Sequence, residues 1–254
     1  MTRLITVSGG KGGVGKTTVT SNVGSALSEF GLDTMVIDAN LTNPNLGFHL
    51  GIPLYPTTLH DVLRDEAHIT EATYIHNSGL RVVPAGLSVE DLRNTSPEKI
   101  DEVLEDVIGE PEYVVIDSAA GLGNESINTI EASDELLIVT NPNLPAVTDA
   151  LKTANIAEEA GTHVLGVVLN RKNDNEDELS AEEVEEMVGH PVVSELPEHD
   201  VLRESVAKKT PLVHYKPDHH MAERFKELAA DVAGIDYEPK KRGVVSRVKE
   251  ALGL

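Results

Sequence analysis

Residues Gly10-Lys11-Gly12-Gly13-Val14-Gly15-Lys16-Thr17 fit the spacing G-x-x-x-x-G-K-[S/T]. In that pattern the backbone N–H groups of a glycine-rich loop wrap phosphate oxygens. The helix that starts at such a loop adds positive potential at its first turn. Lys16 is placed to reach the β- and γ-phosphates of a nucleotide, Thr17 to offer a hydroxyl to Mg²⁺, and Thr18 to donate to the α-phosphate. Lys11 has no such task within a single loop. A second cation there is costly unless something anionic faces it.

Two carboxylates end apolar runs: Asp38 after Val36-Ile37, and Asp117 after Tyr113-Val114-Val115-Ile116. An ionised carboxylate at the end of a buried strand needs a cation or hydrogen-bond donors. At the carboxyl edge of a parallel sheet, Asp117 can hold a water of a Mg²⁺ shell, and Asp38 can orient metal-bound or attacking water. Asn170, after Gly166-Val167-Val168-Leu169, offers a donor and an acceptor that suit the edge of adenine, with a plain turn asparagine as the alternative. Ten histidines invite a metal reading, but none forms HExxH. His214, His219 and His220 lack cysteine or clear carboxylate companions at ligand spacing, so solvated or capping roles are expected of them.

These residues need a sheet to hold them. Short β-branched runs alternate with helical patterns, the signature of a doubly wound, mainly parallel α/β sheet with helices on both faces. Strands are expected at Leu4–Ser8, Thr34–Asp38, Leu80–Pro84, Tyr113–Asp117, Leu136–Thr140, Val164–Asn170 and Val192–Glu195. Helices are expected at Lys16–Phe30, Pro97–Ile108, Leu144–Glu159, Ala181–Val188 and Met221–Val232. The acidic stretch Asn173–Glu178 reads as a solvated loop.

KGGVGKT, residues 11–17, resembles the deviant Walker A motif of the MinD/ParA superfamily of P-loop ATPases, and most closely its MinD branch. The resemblance covers nearly the whole chain. Asp38 with Asn40-Leu41-Thr42-Asn43-Pro44-Asn45 resembles switch I, and Asp117-Ser118-Ala119-Ala120-Gly121 resembles Walker B and switch II. Asn170-Arg171 and Leu196-Pro197-Glu198 resemble the segments that enclose adenine. The resemblance implies ATP and Mg²⁺ as ligands and an ATP-dependent homodimer in which Lys11 contacts the partner's nucleotide. It implies nucleotide contacts from residues 10–18, Asn170, Pro197 and Glu198. It also implies metal-side roles for Thr17, Asp38 and Asp117, and slow ATP hydrolysis with Lys11, Lys16, Asp38 and Asn40 in the catalytic set. One departure stands out: many relatives carry Asp-x-Asp in switch I, and here Asn40 replaces the second acid. Asparagine can bond a water but polarises it less and cannot take its proton, so weak hydrolysis, or none in an ATP-dependent scaffold, is expected.

At 254 residues the chain fits one α/β domain, expected over residues 1–238, with a basic linker and amphipathic helix over 239–254. Absence of cysteine excludes thiolate metal sites, iron–sulfur carriage of the ordinary kind and cysteine nucleophiles. The net charge of −22 disfavours non-specific attraction to nucleic acid, which counts against a ParA-like partitioning role. The acidity fits either a partner-selective surface or adaptation to high internal salt, which screens the repulsion; the spread of acids along the chain favours the second. The tail is different: residues 239–254 carry five Lys/Arg against one Glu. Val244, Val245, Val248 and Leu252 share one helical face, with Lys240-Lys241-Arg242 ahead of them. Such a helix can lie in a membrane interface but cannot span it. No apolar run is long enough to cross a bilayer, so a cytoplasmic protein attached peripherally to the inner face of the cell membrane is expected. The MinD-like role implied is the positioning of other proteins, with cargo and activator unspecified.

Overall fold

The computed structural model describes residues 1–239 apart from 53, 92, 94 and 174. The amphipathic helix expected at 240–254 therefore lies outside the described residues. One eight-stranded sheet runs through the molecule in the order β3-β4-β2-β5-β1-β6-β7-β8. Its strands are β1 (Arg3–Ser8), β2 (Thr34–Ala39), β3 (Tyr74–Ile75), β4 (Arg81–Val83), β5 (Tyr113–Ser118), β6 (Glu135–Thr140), β7 (His163–Lys172) and β8 (Val192–Pro197). Every pairing is parallel except β3 with β4. The seven expected strands are all present, with ends moved by one or two residues. β3, two residues long and antiparallel, has too little pattern to be read from sequence.

The helices are α1 (Lys16–Glu29), α2 (Leu46–His49), α3 (Leu59–Leu63), α4 (Ile100–Glu105), α5 (Asn124–Glu131), α6 (Leu144–Ala160), α7 (Ala181–Val188), α8 (Asp200–Ala207), α9 (Leu212–Tyr215) and α10 (His220–Ala233). The helix expected over Pro97–Ile108 is shorter: a 3₁₀ turn at Pro97–Lys99 leads into α4, which stops at Glu105. The starts are chemically marked. Asn143 accepts from the N–H of Ala146 to open α6, and Ser180 with Glu183 forms a reciprocal capping box for α7.

Alternate residues of each strand feed opposite layers. Ile5, Val7, Leu137 and Val139 pack with α1 and α10 through Val23, Leu27, Phe225 and Leu228. Leu4, Met35, Ile37, Val114 and Ile116 pack on the other face with α3 and α4. Leu136 and Ile138 join α6 and α7 through Ala150, Ala154 and Val184. Burial on both faces explains why central strands such as Tyr113–Ser118 are continuous apolar runs rather than alternating ones.

Candidate nucleotide site

The carboxyl edge of β1 delivers the phosphate loop. Gly13 and Gly15 have φ of 80° and 106°, a left-handed conformation that side-chain-bearing residues adopt at a cost. At Gly15 space is also closed, since a Cβ there would lie 2.1 Å from the Asn170 amide nitrogen. Gly13 has nothing within 4 Å, so the loop keeps an open rim where its amides can meet phosphate. Lys16 is buried at the start of α1, and burial lowers its pKa against the opposing pull of Asp117. Lys11 is exposed, and no hydrogen bond or ion pair engages it among the described residues.

Asp117 sits between β1 and β2, in register with Val7 on one side and Asp38 on the other. Its carboxylate accepts from the hydroxyl of Thr17 at 2.7 Å and, more weakly, from that of Thr20 at 3.4 Å. Burial pushes its pKa up to about 6, opposed by Thr17 and Lys16. A hydroxyl and a carboxylate oxygen this close form a hard-oxygen donor set that fits Mg²⁺.

Asp38 is engaged differently. Its oxygens accept from the backbone N–H groups of Asn40 at 3.2 Å, Asn45 at 3.1 Å and Leu46 at 3.0 Å. The 40–46 segment is thus folded back over the carboxylate. Burial, and then Asp117, hold the Asp38 pKa well above the ordinary range, while those three N–H bonds pull the other way. A carboxylate has about four acceptor positions, so one remains on the oxygen that faces Asn40.

Asn40 closes the same segment: its amide donates to the carbonyl of Asn43 at 2.7 Å and accepts the Asn43 N–H at 3.3 Å. Thr42 then donates from both its backbone N–H (3.1 Å) and its hydroxyl (3.0 Å) to the Glu125 carboxylate in the first turn of α5. The segment resembling switch I is therefore tied to the helix that follows the segment resembling switch II.

Beside α1 lies a cleft of about 360 Å³ lined by Gly15, Thr18, Asn170, Glu198, Arg171 and Arg203, with Leu202 and Val206 as an apolar wall. Asn170 is buried, and its amide nitrogen donates to the carbonyl of Val14 at 2.7 Å. One of its two N–H donors is committed to the phosphate loop, which leaves the other and the amide oxygen. Glu198 pairs with Arg203 at 2.9 Å and Arg171 at 3.4 Å. Pro197 ends β8 opposite Lys172, next to the cleft but not lining it. Arg203 is not anticipated from sequence, and Arg171 only as a member of the Asn170-Arg171 segment. Arg171 has a φ of 59°, unusual for a residue with a side chain. Arg203 rides on α8, whose eight residues, four of them polar, bury only Val201 and Ser205.

The family model ParA, described as NUBPL iron-transfer P-loop NTPase, matches residues 1–233. An uncharacterized ATP-binding protein of Methanocaldococcus jannaschii is 37% identical over 256 residues, which cover 99% of this chain and 97% of that one. The septum site-determining protein MinD of Thermotoga maritima is 27% identical over 269 residues, covering 98% and 97%. Among solved structures, MinD complexed with Mg-ADP from Pyrococcus horikoshii superposes with a TM-score of 0.88 at 34% identity, covering 91% of this chain and 96% of that one.

Proposed function

The chain belongs to the ParA/MinD family of P-loop NTPases, and on that premise we propose that it is an ATPase that closes into a homodimer around two nucleotides. Lys11 carries this reading. It stands exposed beside a phosphate-shaped loop, unengaged among the described residues, so its natural counter-charge is a phosphate held by a second copy. Lys16 and the loop amides bind and orient the phosphates, and Thr18 reaches the α-phosphate. Thr17, Asp117 and the remaining acceptor of Asp38 form the Mg²⁺ side. The ion, when bound, neutralises charge that develops on the transferring phosphate. Asn170, Pro197 and Glu198 flank the base.

Residues 240–254 supply a membrane attachment in this proposal, and support for it comes from their basic and apolar pattern. One short helix binds a bilayer marginally; two on a closed dimer gain from effective concentration. Membrane residence then reports the nucleotide state, and the membrane-bound dimer positions other proteins.

Light scattering after size exclusion, with ATP or ADP, tests the dimer. The wild type should double in mass with ATP only, and Lys11→Ala should stay monomeric while still binding nucleotide. A wild type that remains monomeric with ATP, or a variant that dimerises like it, overturns the reading. Liposome co-sedimentation with ATP, with ADP and after deletion of residues 240–254 tests the attachment; equal pelleting in all three excludes it.

A second reading, a dimeric scaffold with little turnover, is favoured by Asn40. Its amide is committed to Asn43 at both ends, which leaves it poorly placed to activate water.

A further inference from the structure

His199 meets the adjacent pair His219 and His220 where α8 and α10 begin. His199 is the residue before α8, His219 the residue before α10, and His220 opens α10. Their ring centroids lie 4.8 Å (His199–His219), 5.2 Å (His199–His220) and 4.5 Å (His219–His220) apart. One ring nitrogen from each falls within 4.8 Å of the others, and all three residues are half-buried. We propose that these rings form a binding site for a divalent transition-metal ion that prefers imidazole, with Zn²⁺ as the reference ion.

A tetrahedral ion bound at about 2.0–2.1 Å from each nitrogen draws the nitrogens to roughly 3.4 Å of one another. The shift needed is of the order of 1 Å per ring. Half-buried side chains at helix starts can supply it without disturbing the core. The chain has no cysteine, so imidazole with carboxylate or water is the donor set it has for such an ion. Glu204, one turn into α8, is paired with Lys216 at 2.7 Å. Water therefore completes the shell around the three nitrogens.

The rings also do other work. His199 Nδ1 accepts the N–H of Val201 at 3.1 Å, and His219 Nδ1 accepts that of Met221 at 3.2 Å. Coordination through either nitrogen of these rings gives up those two neutral cap bonds, because the ring has only one free lone pair when uncharged. Three imidazole–metal bonds outweigh such neutral cap bonds.

The site is independent of the nucleotide reading and is tested without ATP. Tag-free protein, stripped with chelator, is titrated with Zn²⁺ against a chromogenic competitor, and with Cu²⁺ by electron paramagnetic resonance to detect imidazole nitrogen. One equivalent should bind, with nitrogen coupling in the Cu²⁺ spectrum. His220→Ala, which removes no cap, should lose about tenfold or more in affinity, as should His199→Ala. His163→Ala, an exposed histidine elsewhere, should bind like wild type. Equal Zn²⁺ affinity in wild type and His220→Ala, or loss of binding in His163→Ala, overturns the assignment.

Discussion

The side-chain amide of Asn170 reaches across 156 residues of sequence to donate to the carbonyl of Val14 at 2.7 Å, joining the end of β7 to the phosphate loop. The same nitrogen sits where any side chain on Gly15 would go. Asn170→Ala removes a buried bond to the Val14 carbonyl, which costs about 0.5–1.5 kcal/mol. Thermal unfolding should record that loss without nucleotide, and a fluorescent-nucleotide titration should show weaker binding. Unchanged stability would mean that another donor serves Val14.

Gly15→Ala should be worse than an ordinary glycine replacement. Its φ of 106° strains any L residue, and the new methyl would collide with Asn170. Gly31, with φ of 82° and nothing within 4 Å, carries the backbone strain alone. We expect Gly31→Ala to cost roughly 1 kcal/mol and keep nucleotide binding. Gly15→Ala should cost more and abolish binding. Similar melting temperatures and affinities for the two variants would remove the steric account.

Asp117 should make the nucleotide-free protein less stable as pH rises. Its native pKa of about 6 exceeds the ordinary value of 3.8. The folded state therefore holds this proton more tightly than the unfolded chain. The stability it contributes is present below about pH 4 and is lost as the pH climbs through about 6. Asp117→Asn should flatten unfolding free energy between those pH values and be the more stable protein at neutral pH. The difference should be of the order of 1–3 kcal/mol. An unchanged pH slope would show that the neighbouring Lys16 compensates the carboxylate fully.

Asn40→Asp installs the second acid that the resemblance to switch I implies but meets a local conflict. A carboxylate cannot donate to Asn43, so two acceptors would face each other across the present 2.7 Å bond. The segment should loosen, at a cost of about 1–3 kcal/mol, and hydrogen exchange across residues 40–46 should quicken. If the acid is what limits turnover, steady-state phosphate release at saturating ATP should still rise. No gain, with any activator present, would place the limit elsewhere.

What could be read from the chain was local. The phosphate loop is a contiguous motif, and strands such as Leu136–Thr140 are apolar runs that need no partner to be recognised. Asp38 shows where that stops: its position at a strand end is legible, but its bonds to Asn45 and Leu46 depend on a short helix, α2, with almost no periodic signal. The cleft beside α1 was half visible, through Asn170 and Glu198. Arg203 was hidden because α8 is brief and buries only two of its residues. His199 could not be grouped with His219 and His220 by spacing, since only the return of α10 against α8 brings them together.

The strand order also sets a timetable. β1 pairs with β5 and β6, so Val7 has no neighbour in the sheet until Asp117 and Leu137 exist. On a ribosome adding about 5–20 residues per second, the phosphate loop emerges first and then waits seconds for its walls. The cleft beside α1 comes later still, because Glu198 and α8 follow β8. Nucleotide therefore has nothing complete to hold until most of the chain has been made. It acts as a seal on the finished molecule rather than a guide along the way.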